Sequence, residues 1–552
     1  MSAASSSAAP SPQQAAAAKS SRVCLNCRRK KKRCDKALPS CGRCTYSLQA
    51  CQHEDDVGVP GGSNGSGPIR FESFIGQMPT PTRTYTPVLE QLTAPQPGPR
   101  WSVLNPALFA SMDSTEDIHS FACRCLSDIL GHRQSIDRVV VSYFASINTW
   151  LTIVERASFE SHLEEIWTTP SAETAALVLC MRLIIRPPTA SSPAGMGDSL
   201  YLSAKTMLSL VQTKLSLSIT ILQAELLVAM YEFAHSMPQQ AYMTIGRCFQ
   251  ITKAFGWHYE PFWSEERQTL VPRELKLCSI LWWAVVWIDC SIHVSYQDQK
   301  YPMHTANLNW DFSVPFPESF DQYLPGSLSY GFGSQSSGSA SGSGFLDGNT
   351  DQIDGMVWPE ATSAFYLSSV LQQLANPNSP TAADRNMLSG AITTHTINVL
   401  SGNWKRGDRT AAVGTNFIAL MKINQAGLLS GAIMPSGSSG PATLPADAND
   451  MRPVETIRSV ISSIYSSALN TERNVMLQNG AVAPCCAFYM YYASLLLISH
   501  GAGVLQDAEW LQKVEVFKSA LDMTRTRWEI AGRYVESIQI ALGSRLGGSI
   551  QL

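Results

Sequence analysis

Six cysteines, Cys24, Cys27, Cys34, Cys41, Cys44 and Cys51, fall within 28 residues as C-x2-C-x6-C, a six-residue gap, and C-x2-C-x6-C again. A thiolate is a soft ligand, and four of them around Zn²⁺ satisfy its tetrahedral preference; C-x2-C supplies two from a single turn. Six sulfurs are too few for two separate four-thiolate sites. If two metals bind, two sulfurs must bridge, and the symmetry of the repeat points to equivalent positions such as Cys24 and Cys41. A single zinc with two spare thiols, or three disulfides, are the alternatives to be weighed against this.

The run between the second and third cysteines is wholly basic: Arg28, Arg29, Lys30, Lys31, Lys32 and Arg33. The matching interval of the second half, Thr45 to Ala50, carries no charge. The first half therefore faces a polyanion and the second props it. Residues 19–44 hold ten Lys or Arg against the single acid Asp35, so the net charge of −3 hides a remainder near −12. Two Zn²⁺ and six thiolates sum to −2, which leaves the assembled segment at roughly +7 and predicts strongly salt-dependent nucleic-acid binding. By itself such a run reads as a nuclear-import signal or a solvated charge run. Between metal-ligating cysteines the charges are held on a rigid surface, and double-stranded DNA becomes the expected partner; import is a second use of the same residues.

The other eight cysteines, Cys123, Cys125, Cys180, Cys248, Cys278, Cys290, Cys485 and Cys486, stand among apolar neighbours and read as reduced core residues. Residues 1–21 are rich in Ala, Ser, Pro and Gln and lack the apolar core of a secretory signal, so a reducing compartment, the nucleus, is expected. Ala481 to Leu505 contains no Asp, Glu, Lys or Arg, but Pro484, His500, Gly501 and Gly503 interrupt it. It reads as a core helix starting near Pro484, and no membrane partner is expected. The run Ile280 to Ile288 is shorter still and ends at Asp289.

The expected organisation is a disordered N-terminus over 1–21, a zinc module over 22–53, a flexible linker over 54–115 and a large all-α domain over 116–552. Beyond residue 115 the dominant signal is helical periodicity, as in Ala241, Ile245, Cys248, Thr252 and Phe255 before a stop at Gly256. Similar segments occur near 138–150, 203–217, 221–235, 274–295, 362–375, 412–429, 454–477, 484–500 and 507–540. Two Gly/Ser-rich breaks, near 326–354 and 430–450, read as disordered insertions. Trp510, Val514, Phe517, Leu521, Thr524, Trp528, Ala531, Val535 and Ile538 repeat at +4, +3, which suits either a long core helix or a coiled-coil seam. The core helix is the preferred reading, because Gly532 and Thr524 weaken a seam.

The stretch from Cys24 to Asp35, with Pro39-Ser40-Cys41-Gly42-Arg43-Cys44, resembles the fungal binuclear zinc-cluster transcription factors. The resemblance implies two Zn²⁺ on six cysteines, with Cys24 and Cys41 bridging. It also implies that Lys31 enters the major groove to read a CGG-type triplet, through guanine O6 and N7. Arg28, Lys30 and Arg33 would mostly grip phosphate, and Pro39 would shape the loop between the halves. Arg33 stands where the family usually has lysine.

A second resemblance is to the same family's middle homology domain. It rests on Tyr143-Phe144, Trp150 to Ile153 and Phe159, on Gly246 through Phe255-Gly256-Trp257-His258, and on Glu274, Trp282-Trp283 and Asp289. Leu281 and the region Tyr296-Gln297-Asp298 depart from the family's usual arginine and Gly-Arg-Pro. Trp282, Trp283 and Trp287 read as core rather than as a ligand pocket, and His258 as a helix-end histidine. There is no P-loop, H-E-x-x-H or G-x-S-x-G, so nothing argues for catalysis. The function implied is a nuclear, sequence-specific regulator of RNA polymerase II transcription, contacting the transcription machinery and serving as an activator of a secondary-metabolite gene cluster. The alternative is an effector-sensing regulator of a catabolic or stress pathway, or a repressor. A homodimer and a small-molecule effector stay open as further partners.

Overall fold

The chain divides into two units, Met1–Ile69 and Arg70–Leu552. The computed structural model describes residues 27–28, 33–34, 36, 117–188, 196–265, 270–296, 301–306, 314–317, 319, 358–375, 381–401, 409–432, 451–470 and 482–547. The expected N-terminal tail, the linker and the 326–354 insertion lie outside them.

In the second unit the periodic segments form α-helices, and among the described residues there is no strand. In chain order these are α1 (Ile118–Leu130), α2 (Arg133–Ala145), α3 (Arg156–Glu165), α4 (Ala172–Ile185), α5 (Ser199–Lys214), α6 (Ile219–Ala234), α7 (Pro238–Ala254) and the short α8 (Glu260–Glu265). There follow α9 (Pro272–Ser295), α10 (Pro359–Ala375), α11 (Ala382–Ser401), α12 (Thr410–Ala432), α13 (Arg452–Asn470), α14 (Cys485–His500), α15 (Trp510–Thr524) and α16 (Glu529–Gly547). Their starts follow ordinary capping chemistry: Ser171 accepts from the Thr174 N–H, Asp198 from Leu200 and Tyr201, and Ser218 from Ile221. Pro238 and Pro272 occupy first-turn positions where no N–H is needed. The predicted stop after α7 is real, with Gly256 at φ 78°.

Helices that are apolar all round lie inside, and those with one apolar stripe wrap them. Helix α6 is buried on every side from Ile221 to Ala234. It packs on α4, α7 and α9, and α4 in turn on α1, α2 and α5. Helix α9 continues the core to α10, α10 meets α12, α12 carries α11, α13 and α14, and α14 packs on α15 and α16. The last helix then returns to α6 and closes the path. Helix α9 is long and apolar enough to span a membrane, but 89% of its apolar window is buried within the protein, which is a core helix's environment. The 484–500 segment is likewise a core helix, 16 residues long.

Two expectations need correction. The periodic run over 507–540 is two helices, α15 and α16, separated at 525–528, so no continuous seam exists; its apolar residues Val514, Phe517, Leu521, Trp528, Ala531, Val535 and Ile538 are all buried in the core. The break placed at 430–450 starts too early, because α12 runs on through Ala432. Helices α1, α3, α4, α8 and α11 are additional to the periodic segments.

The break at 525–528 has a physical cause. Arg527 turns into the core, donating from Nη2 to Ile184 O at 2.7 Å and from Nη1 to Arg186 O at 3.3 Å, at the C-terminal end of α4. Its guanidinium lies 3.7 Å from the centroid of the Trp528 ring. Trp528 meets Trp150 edge-on at 6.2 Å, Trp150 meets Trp287 of α9 at 6.2 Å, and the Trp528 indole N–H donates to Val482 O at 2.7 Å. Three fully buried indoles from widely separated parts of the chain thus share one node.

Trp528→Ala is expected to cost about 3–5 kcal/mol, from the lost ring and the stranded Val482 carbonyl, with a smaller loss for Trp528→Phe. Urea unfolding midpoints of the two variants check this. A pH dependence is also expected. His395 on α11 sits against Pro359 O and Ser363 Oγ of α10, and burial pushes its imidazole down from 6.5 to about 4, outweighing the bond to Pro359. Between those values the unfolded chain binds a proton that the native state refuses, so stability falls as pH drops from 6.5 towards 4, by at most about 3 kcal/mol. His395→Leu should flatten that slope in unfolding curves taken across the window.

Candidate nucleic-acid interface

In the first unit the described residues are the ones flanking the basic run. Cys27 and Arg28 are successive residues of a helical turn; Cys27 is only 2% exposed while Arg28 is exposed. Arg33 is exposed and Cys34 half-buried beside it. Just beyond, Lys36 takes a left-handed conformation at φ 62°. An inward thiol next to an outward guanidinium is the arrangement that a metal cage with a basic exterior requires, so these residues fit Zn²⁺. Cys24, Arg29, Lys30, Lys31, Lys32, Cys41, Cys44 and Cys51 lie outside the described residues.

The remaining cysteines are in a different chemical state. Cys125, Cys180, Cys248, Cys278, Cys290, Cys485 and Cys486 are buried in the helical unit, and Cys123 is half-buried. Burial pushes the thiols of Cys180, Cys248 and Cys290 well above their ordinary value and that of Cys278 up to about 12. They are therefore protonated thiols and poor ligands. Among the described residues no cluster of His, Cys, Asp or Glu could hold a metal.

The motif residues of the second unit meet each other. Asp289 of α9, buried, accepts from the Thr305 N–H at 2.9 Å, the Thr305 hydroxyl at 2.8 Å and the His304 N–H at 3.3 Å. Burial raises its carboxyl, against the lowering effect of those bonds. The His304 ring stacks on Tyr242 at 4.3 Å and its Nε2 donates to Tyr242 O at 3.1 Å. Gly246, one turn along α7, lies beneath that ring, where an added Cβ would stand 2.7 Å from His304 Cε1. Gly246 and Asp289, far apart in sequence, thus clamp the 301–306 segment from two helices.

The tryptophans are core. Trp283 stacks on Phe316 at 5.1 Å, Trp287 donates to Thr415 Oγ1 at 2.9 Å, and Trp282 is packed near Phe249. His258 is half-buried in the turn after α7, its ring against Tyr259. A polar box lies between α5, α6 and α7. Glu232 pairs with Lys205 at 3.0 Å and accepts from the Tyr201 hydroxyl at 2.7 Å; Glu225 accepts from Gln212 at 2.7 Å and faces Arg247 at 3.6 Å. Two acids seven residues apart on a helix this rich in apolar residues are the signal for it.

Residues 22–57 match the fungal Zn(2)-Cys(6) binuclear cluster domain, and residues 140–375 match the fungal specific transcription factor domain. A relative, "Transcription factor BOA15" of Botryotinia fuckeliana (strain B05.10), is 27% identical over 155 residues, 28% of this chain and 84% of that protein. A binuclear cluster domain holds two Zn²⁺, and both domains belong to transcription factors rather than enzymes.

Gly246→Val is expected to displace the His304 ring and cost about 1–3 kcal/mol by overpacking. His304→Ala in the same chain should return part of that loss, which a double-mutant cycle of unfolding free energies measures.

Proposed function

We propose that this chain, which belongs to the fungal Zn(2)-Cys(6) transcription factors, reads CGG-type half-sites in double-stranded DNA and activates transcription from them. The observation that carries the reading is a wholly basic run, Arg28 to Arg33, set between metal-ligating cysteines. In this reading Cys24, Cys27, Cys34, Cys41, Cys44 and Cys51 hold the two zincs, with Cys24 and Cys41 bridging. Lys31 donates to guanine O6 and N7, Arg28, Lys30 and Arg33 grip phosphate, which sets register and affinity but carries no sequence information, and Arg29 and Lys32 complete the DNA-binding run. The chain acts in the nucleus, and its helical domain passes the signal to the transcription machinery. The genes served are those of a secondary-metabolite cluster, a reading that rests on the resemblance of the middle region. A homodimer would set half-site spacing by its geometry.

A second reading is an effector-sensing regulator, in which a small molecule bound by the helical domain governs output. It is favoured by a cleft between three helices of that domain.

The test is zinc content and DNA binding of the purified chain, wild type beside Lys31→Ala, on CGG-bearing and scrambled duplexes at two salt concentrations. Two zincs per chain, a steep salt slope and a CGG preference are expected. Lys31→Ala should lower that preference by about 1–3 kcal/mol. Stripping the metal with a chelator should abolish binding to both duplexes. One zinc per chain, or equal affinity for the two duplexes, overturns the reading.

A further inference from the structure

Where α9, α10 and α12 meet, a cleft of about 320 Å³ opens to solvent, lined by His293 of α9, Leu371 and Leu374 of α10, and Lys422 and Gln425 of α12. That volume is at the lower end of the range of about 300–1,000 Å³ typical of small-molecule sites. Its wall is apolar along α10, and its polar groups all come from α9 and α12.

Each polar group is oriented by a neighbour outside the cleft. Tyr492 of α14 does this twice: its ring lies 4.2 Å from the Lys422 ammonium, and its hydroxyl donates to Gln425 Oε1. With Oε1 engaged, Gln425 is left with its amide N–H groups to offer. His293 Nδ1 lies 2.7 Å from the Tyr301 carbonyl oxygen, which can only accept, so Nδ1 carries the proton. In the neutral ring Nε2 is then an acceptor. The cleft therefore presents a cation, a neutral donor, a single acceptor and an apolar wall.

We propose that this cleft binds a small amphipathic hydroxy acid, with its carboxylate on Lys422 and Gln425, its hydroxyl donating to His293 Nε2 and its apolar body on Leu371 and Leu374. Lys422 is buried, and burial pushes its ammonium down to about 8, so it is still mostly charged near pH 7. An arriving carboxylate would form a charge-assisted pair with it, which the surrounding low dielectric strengthens. The proposal deepens the effector-sensing reading and rests on it for its regulatory meaning. An occupant touches α9, α10 and α12 together, so it stabilises the junction between the two ends of the helical domain.

The test uses the zinc-loaded full chain and titration calorimetry with 3-phenyllactate as the probe, beside 3-phenylpropionate, which lacks the hydroxyl, and 3-phenylpropanol, which lacks the carboxylate. Measurable binding of 3-phenyllactate is expected, at least tenfold weaker for each of the two analogues. Lys422→Met should weaken it at least tenfold, and Leu374→Trp, which fills the cleft and keeps the charge, should abolish it. Circular dichroism identifies any variant that has not folded, and a misfolded Lys422→Met leaves Leu374→Trp to decide. No binding of 3-phenyllactate at millimolar concentration, or binding that survives both substitutions in folded protein, overturns the proposal. CGG-duplex binding in the same samples separates the two ideas: intact DNA reading without acid binding removes only the cleft, and acid binding without DNA reading removes only the promoter role.

Discussion

One guanidinium ties the helical domain together. Arg527 completes the carbonyl end of α4 from a position 343 residues further along the chain, and it does so while stacked on Trp528. Burial pushes its pKa down to about 9, a sign of how much solvation it surrenders. The return comes from charge-assisted bonds to carbonyls that a helix end leaves unsatisfied, and from the favourable placing of a cation at a helix C-terminus. The indole node beside it brings Trp150, Trp287 and Trp528 into one cluster, so α4, α9 and the α15–α16 turn hold their places together.

The two units divide the chemistry of one side chain between them. In the helical unit burial holds the thiols of Cys180, Cys248, Cys278 and Cys290 protonated, which makes them small apolar packing groups. In the N-terminal unit the same side chain is embedded in positive charge, which favours the thiolate that a metal needs. Charge follows the same division: the basic residues of 19–44 leave the remainder of the chain acidic, so a polyanion is drawn to one end only.

What could be read from residues alone depended on how distinct each pattern was. The cysteine spacing and the basic run announced the DNA-binding module without any long-range information, because ligands and charges lie within one short segment. Helices with an apolar stripe and a clear stop, such as α7 ending before Gly256, were legible for the same reason. Helix α4 was not, because Ala175 to Met181 is buried on all sides and has no polar face to reveal a period. Helix α11 is hidden in the sequence for the opposite reason, since its small and polar residues leave only a few large apolar ones to mark a face. The split at 525–528 could not be read, because the +4, +3 spacing passes straight through it and Arg527 is turned inward by partners hundreds of residues away. The cleft groups are equally opaque in sequence: His293 and Lys422 look like surface residues until Tyr301 and Tyr492 fix them.

The distance along the chain between α4 and Arg527 has a meaning in time as well as in space. At about 5–20 residues per second, a ribosome that has finished Ile184 needs roughly 20–70 s to add the 343 residues that reach Arg527. Throughout that interval the end of α4 lacks its partner and α6 waits for the returning α16. The helical domain therefore cannot close its core until its last helices have been made, whereas the six cysteines of the metal-binding segment have all been made by residue 51.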